Sequence, residues 1–189
     1  MIGLVGRIDP AKGQDIFIKA AAGLSVSQRS GKKLKFVIVG EGTLGSTGEY
    51  LEILQGLVKQ FRLENEVVFA GYQENIPEVM SAFDIFVMPS KQEAFGLVAI
   101  EAMAMECLIV ISSGGSAHEI IGNEEFGLLT RPQDAFDLQR QIKILLDQSE
   151  MRIRMGKRAR EHVRKFYDRK VRVQKCLELY EWNLRKRGV

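Results

Sequence analysis

Apolar positions along this chain switch between two periods. Runs such as Phe36-Val-Ile-Val39 and Leu108-Ile-Val-Ile111 are apolar at every position. Strands buried on both faces read this way, which points to a parallel sheet. The pattern predicts six strands, over 2–6, 35–39, 66–70, 84–88, 108–112 and 127–130. Between them, apolar residues recur at helical spacing and predict helices over 12–29, 49–61, 76–82, 96–106, 116–121 and 136–146. Such β-α alternation argues for a doubly wound α/β domain with a parallel sheet. Beyond residue 149 the pattern is helical only, over 151–166 and 170–187. The expected organisation is an α/β domain over 1–150, with C-terminal helices over 151–189 packing on or near it.

One position breaks the apolar pattern. The predicted helix 96–106 is apolar on nearly every face, as in a core helix, yet it carries Glu101 at its centre. A buried carboxylate is costly unless something binds it. Glu101 is therefore expected to be buried and satisfied, either by a hydroxyl-rich ligand or by an internal Arg or Lys. The vicinal hydroxyls of a ribose can donate two hydrogen bonds to one carboxylate. Glu93, eight residues earlier, lies in the loop that enters this helix. Its plain alternative is a solvated loop acid.

In an open parallel sheet, ligands bind beyond the carboxyl ends of the strands. Those ends carry Gly6-Arg7, Gly40-Glu41-Gly42, Gly71-Tyr72, Pro89-Ser-Lys-Gln-Glu93 and Ser113-Gly114-Gly115. After the first strand, Arg7 and Lys12 flank a turn that delivers a helix N-terminus. A guanidinium, an ammonium and free backbone N–H groups together suit a diphosphate; two surface cations on a turn are the alternative. Gly40-x-Gly42-x-x-Gly45 is formally the dinucleotide fingerprint, but Ser46-Thr47-Gly48 delays the helix and the next strand ends Ala70-Gly71-Tyr72 without the required acid. A permissive turn with backbone near a ligand fits these glycines better. Gly96 opens the helix of Glu101, leaving the N–H groups of Phe95, Gly96 and Leu97 as donors at a positive helix end. Ser116 and Glu119 have the spacing of a capping box, while Gly114 and Gly115 stand as site candidates.

Composition narrows the classes. The 189 residues are 46% hydrophobic and 27% charged, enough for one domain with a full core. Cys107 and Cys176 are the only cysteines, which suggests a reducing, cytoplasmic setting without a disulfide framework. His118 and His162 are too few and too far apart for a histidine metal site. No apolar run approaches the roughly 18 residues of a membrane span, and the strand-like start lacks a secretory n-region. Net charge is +3, but ten Lys/Arg lie between Met151 and Arg172 against Glu161 and Asp168. A solvated helical face accounts for that run; peripheral contact of residues 152–172 with an anionic membrane is the sharper reading. Nucleic acid is not expected, because no aromatic interleaving accompanies the basic run. No G-x-S-x-G elbow, P-loop, zinc spacing or Cys/His nucleophile set is present.

The ordered set Gly6-Arg7…Lys12-Gly13, Val39-Gly-Glu-Gly42, Phe69-Ala-Gly71, Asp84…Met88-Pro-Ser90, Glu93-x7-Glu101, Gly114-Gly115…Glu119 and Gly127-Leu-Leu resembles the C-terminal domain of retaining GT-B glycosyltransferases, the glycosyl transferases group 1 family. Met155-Gly-Lys-Arg-Ala159…Phe166 resembles the family's tail. The resemblance implies a Rossmann-like second domain of a GT-B fold with a helical extension. It implies a nucleotide-diphosphate sugar as substrate, retention by front-face departure and attack with no assigned base, and no cofactor or metal. Arg7 and Lys12 would bind the donor diphosphate, Glu101 the ribose, and the backbone of Phe95, Gly96 and Leu97 the sugar and phosphate. Glu93 would contact the transferred sugar as the candidate catalytic residue, and Gly42 and Tyr72 would lie near the nucleotide. The family's N-terminal acceptor domain is missing from this chain, so the isolated chain is expected to be inactive. A non-catalytic nucleotide- or dinucleotide-binding module is the competing expectation.

Overall fold

The computed structural model describes residues 1–27, 34–42, 47–122 and 125–187. Six strands, β1 (Ile2–Val5), β2 (Phe36–Val39), β3 (Val67–Gly71), β4 (Ile85–Met88), β5 (Leu108–Ser112) and β6 (Leu128–Thr130), form one parallel sheet in the order β3-β2-β1-β4-β5-β6. The helices are α1 (Gln14–Ser27), α2 (Thr47–Gln60), α3 (Ile76–Ser81), α4 (Leu97–Ala104), α5 (Ala117–Ile121), α6 (Ala135–Asp147), α7 (Ser149–Phe166) and α8 (Arg169–Arg187). The expected end of the first helix, 28–29, lies outside the described residues. Elsewhere the elements lie within about two residues of the sequence reading, as boundary fraying allows.

Alternate residues of each central strand feed opposite faces. In β5, Leu108 and Val110 join Ile2 and Leu4 of β1 in a core under α1, α2 and α6. Ile109 and Ile111 join Phe86 and Met88 of β4 in a second core under α3, α4 and α5. This two-sided burial is why the strands are continuously apolar. The first helix after residue 149 is no appendage, since Met155 enters one core and Ala159 and Val163 the other. By contrast, α8 leaves Val173, Leu177, Tyr180 and Leu184 exposed.

The chain order reverses at the centre of the sheet. From β1 it proceeds through β2 to β3 on one side, and from β4 through β5 to β6 on the other. Loops leaving the carboxyl ends of β1 and β4 therefore diverge and open a crevice between them. Two expectations change at this edge. Gly40 has a positive φ of 129°, and a Cβ there would stand 2.1 Å from the Gly6 carbonyl oxygen. Its lack of a side chain is thus accounted for by the close approach of the β1 and β2 exits. The last glycine of the formal fingerprint, Gly45, lies outside the described residues. The Ser116 capping box does not form: its backbone has φ −75° and ψ 2°, without a side-chain cap. Its Oγ instead donates to the Glu93 carbonyl oxygen at 3.3 Å.

Candidate functional site

A cleft of about 220 Å³ occupies the crevice between β1 and β4. Leu4, Val5, Val87, Met88 and Val98 give it apolar walls, and Gly6, Arg7, Lys12, Ser90 and Glu93 bring polar groups to it. Two loops build it. After β1, Pro10–Lys12 form a 3-10 turn capped by Asp9, whose carboxylate accepts the Ala11 N–H at 2.8 Å. That turn raises Lys12. Gln14, fully buried at the start of α1, donates its side-chain amide to the Arg7 carbonyl and so braces the same loop from beneath. After β4, the loop runs alongside the first: the Lys91 N–H donates to the Ala11 carbonyl at 2.9 Å.

The decisive contact joins the two loops. Lys12 Nζ lies 2.8 Å from Glu93 Oε2, with 29% and 19% of the respective side chains exposed. The solvated-acid alternative for Glu93 is thereby overturned: the carboxylate is largely withdrawn from water and paired. Arg7 is exposed and makes no ion pair among the described residues. One cation of the cleft is thus free and the other engaged.

Glu93 is held through its backbone as well. It forms a parallel bridge to Gly115, and its carbonyl oxygen accepts the Ser116 N–H at 3.0 Å. Beside it, a Cβ on Gly114 would come within 2.6 Å of the Lys91 carbonyl oxygen. The glycines read as ligand-facing thus set the packing of the β4–α4 loop.

Glu101 differs from its expectation. It is exposed, not buried, and has no ion pair among the described residues. The core face of α4 is Ala99, Ile100, Ala102 and Met103, while Leu97 and Glu101, one turn apart, share an open face. A helix apolar at nearly every position carries too little amphipathic signal to say which face is covered. Partial desolvation still pushes the Glu101 carboxyl above its ordinary value. Glu101 lies outside the cleft lining, on the helix that rises from it.

The N–H groups of Phe95, Gly96 and Leu97 have no acceptor among the described residues, as the uncapped N-terminus of α4 requires. Gly96 sits against the cleft, with its Cβ position 3.4 Å from Met88 Cε and 3.6 Å from Glu93 Cγ. Phe95 is about half exposed and meets Tyr167 edge-on at 6.4 Å between centroids. Gly42 and Tyr72 follow β2 and β3, on the same sheet edge but outside the cleft lining. Two residues were given no role of their own by the sequence. Ser90 is buried, lines the cleft and has an Oγ without a partner among the described residues; its signals were its place at a strand exit and in the Met88-Pro-Ser90 motif. Gln14 carried the signal of an uncharged polar residue at an otherwise apolar helix start.

Part of the basic run is neutralised across the fold. Arg158 pairs with Glu125, and Arg160 with Glu106 at 3.1 Å. Among the described residues, no cluster of side chains has the makings of a metal site, and no helix is long and apolar enough to cross a membrane.

Residues 1–162 match the model of the family described as glycosyl transferases group 1. The chain belongs to this family. Among its relatives, the Campylobacter jejuni N-acetylgalactosamine-N,N'-diacetylbacillosaminyl-diphospho-undecaprenol 4-alpha-N-acetylgalactosaminyltransferase is 31% identical over 86% of this chain and 41% of its own length. Anabaena Alr3699/HepE, solved in complex with UDP and glucose, superposes with a TM-score of 0.87 at 26% identity, over 95% of this chain and 47% of that one. The C-terminal domain of the Francisella tularensis group 1 protein LpcC superposes with a TM-score of 0.80 at 30% identity, over 89% of this chain and 86% of that one. This group 1 glycosyltransferase chain thus spans about two-fifths of the length of the curated relatives it matches. Its six-stranded sheet with a helical extension is the Rossmann-like half seen in GT-B enzymes.

Proposed function

We propose that this chain is the donor-binding half of a retaining glycosyltransferase that takes a nucleotide-diphosphate sugar and needs no metal or other cofactor. The observation that carries the reading is the convergence of Arg7 and the Lys12–Glu93 ion pair on one cleft at the sheet's reversal point. Arg7 and Lys12 hold the diphosphate and stabilise the charge that develops on it as the sugar leaves, an electrostatic form of catalysis. The N–H groups of Phe95, Gly96 and Leu97 add fixed donors at a positive helix end. Glu93 takes sugar hydroxyls, and Glu101 takes the ribose from the open face of α4. Gly42 and Tyr72 border the nucleotide from the neighbouring strand ends.

In the reaction, the bond between the sugar's anomeric carbon and the diphosphate oxygen breaks, and its electron pair stays on the diphosphate. The acceptor hydroxyl attacks the face that the diphosphate leaves and passes its proton to the departing diphosphate oxygen, so configuration is retained. HepE is also solved in complex with UDP-glucose, which supports a sugar nucleotide as the ligand class. The acceptor belongs to an N-terminal half that works with this one, so the isolated chain binds donor and transfers nothing. The setting is cytoplasmic, and the basic run 152–172, in which Arg158 and Arg160 pair with Glu125 and Glu106, gives the whole enzyme peripheral membrane contact.

Calorimetric titration of the chain with UDP, GDP, ADP and NAD tests this. One nucleoside diphosphate should bind, and Arg7→Ala should weaken it about tenfold or more, as loss of a charge-assisted contact predicts. Binding of NAD alone, or binding indifferent to Arg7→Ala, would overturn it in favour of a dinucleotide module.

A further inference from the structure

The Lys12–Glu93 contact has a meaning beyond positioning. The Lys12 ammonium has three N–H donors and spends one on Glu93, 2.8 Å away, so a diphosphate that takes the others shares its single charge with the carboxylate. The carboxylate then stands, largely out of water, beside incoming negative charge that one shared cation no longer balances. A poorly solvated charge that is only partly compensated is unfavourable, and like charges in a partly enclosed cleft repel. A ligand that also brings hydroxyl donors changes the balance. Its hydroxyls donate to the Glu93 oxygens as the ammonium turns to phosphate, so both charged groups stay satisfied.

We infer that Glu93 competes with the diphosphate for Lys12, and that the donor's own sugar relieves the competition. The site thereby discriminates between the sugar nucleotide, which satisfies Glu93, and the bare nucleoside diphosphate left after transfer, which does not. Glu93 is a specificity-determining residue that disfavours retention of the spent product. The backbone supports this role. The bridge to Gly115 and the bond from Ser116 fix the Glu93 main chain, so the carboxylate cannot escape the incoming phosphate by moving its loop. Arg7, which has no ion pair among the described residues, supplies affinity for the diphosphate in both cases.

This inference rests on the nucleotide-sugar reading and is tested apart from it. The unmodified chain, Glu93→Gln and Glu93→Asp are each titrated with UDP, GDP and ADP and with the corresponding glucose conjugates. Glu93→Gln keeps the shape and removes the charge. It should tighten binding of the bare nucleoside diphosphate about fivefold and weaken the glucose conjugate, so the preference for the conjugate collapses. Glu93→Asp keeps the charge but shortens the reach to Lys12, and its preference should fall between the two. The ratio of two affinities measured on one sample does not depend on the folded fraction, and Glu93→Asp decides the matter should Glu93→Gln not fold. Unchanged or weaker nucleoside diphosphate binding in Glu93→Gln, with the preference retained, would overturn the inference while the functional reading stands. No binding of any of the six ligands by the unmodified chain would overturn the functional reading, and the inference with it.

Discussion

A side chain at Gly115 would put its Cβ 2.0 Å from the carbonyl oxygen of Glu93. The two residues form a parallel β-bridge, and Gly115 holds a φ of +77° that L side chains rarely adopt. Gly115→Ala is therefore expected to lower stability by roughly 1–3 kcal/mol through backbone strain. It should also push Glu93 away from Lys12 and alter donor affinity without removing any charged group. Urea unfolding and donor titration of the same sample check both effects. Unchanged stability would mean that the β4–α4 loop is not fixed by this bridge.

Glu101 should separate stability from binding. Its folded-state carboxyl sits above the ordinary value because of desolvation. A raised carboxyl binds its proton more readily in the folded state, so it opposes folding once pH rises above the ordinary glutamate value. Glu101→Gln is expected to keep or raise the melting midpoint at neutral pH while weakening nucleotide binding. A drop in the midpoint would show that Glu101 has a structural partner after all.

Asp137 is expected to govern part of the acid limb of stability. Burial alone would raise its carboxyl, but the Arg131 N–H at 2.8 Å and the Arg140 guanidinium at 2.6 Å outweigh that and hold it below the ordinary aspartate value. A depressed carboxyl stabilises above its unfolded value, and that contribution fades as pH falls through the folded one. Stability should therefore drop below about pH 4, and the drop should be shallower in Asp137→Asn. At neutral pH the same substitution is expected to cost about 1–3 kcal/mol, because a buried hydrogen-bonding network loses its acceptor charge. Urea unfolding across pH measures both.

The two thiols should react very differently. Cys107 is buried, donates its S–H to the Met80 carbonyl oxygen at 3.0 Å, and has its thiol pushed up to about 11 by burial and by Asp84. Cys176 is exposed on α8. At neutral pH a thiol reagent is expected to modify Cys176 quickly and Cys107 only on unfolding, because the thiolate is the reactive form. Mass spectrometry of native and denatured samples after alkylation reads this directly.

The chain's own order of residues determined a good deal. The six strands, the parallel sheet and the sheet edge where the candidate site lies were all legible, because each depends on local periodicity or on turn residues beside a strand. Arg7, Lys12 and Glu93 stood out for the same reason, as charges at strand exits. The tertiary structure alone decided what those charges do to one another. Lys12 and Glu93 are 81 positions apart, and they meet because β1 and β4 are neighbours in the sheet though not in sequence. It likewise decided that Glu101 is exposed, since a nearly all-apolar helix holds no local record of which face its neighbours cover. Ser116 could not be told from a cap by spacing, because its contacts with the Glu93 carbonyl of another loop accompany a backbone that is not in the extended conformation of a cap. Local pattern specifies an element and its place on an edge. Which groups share a cleft depends on strand order and on the few backbone contacts that bring the loops together.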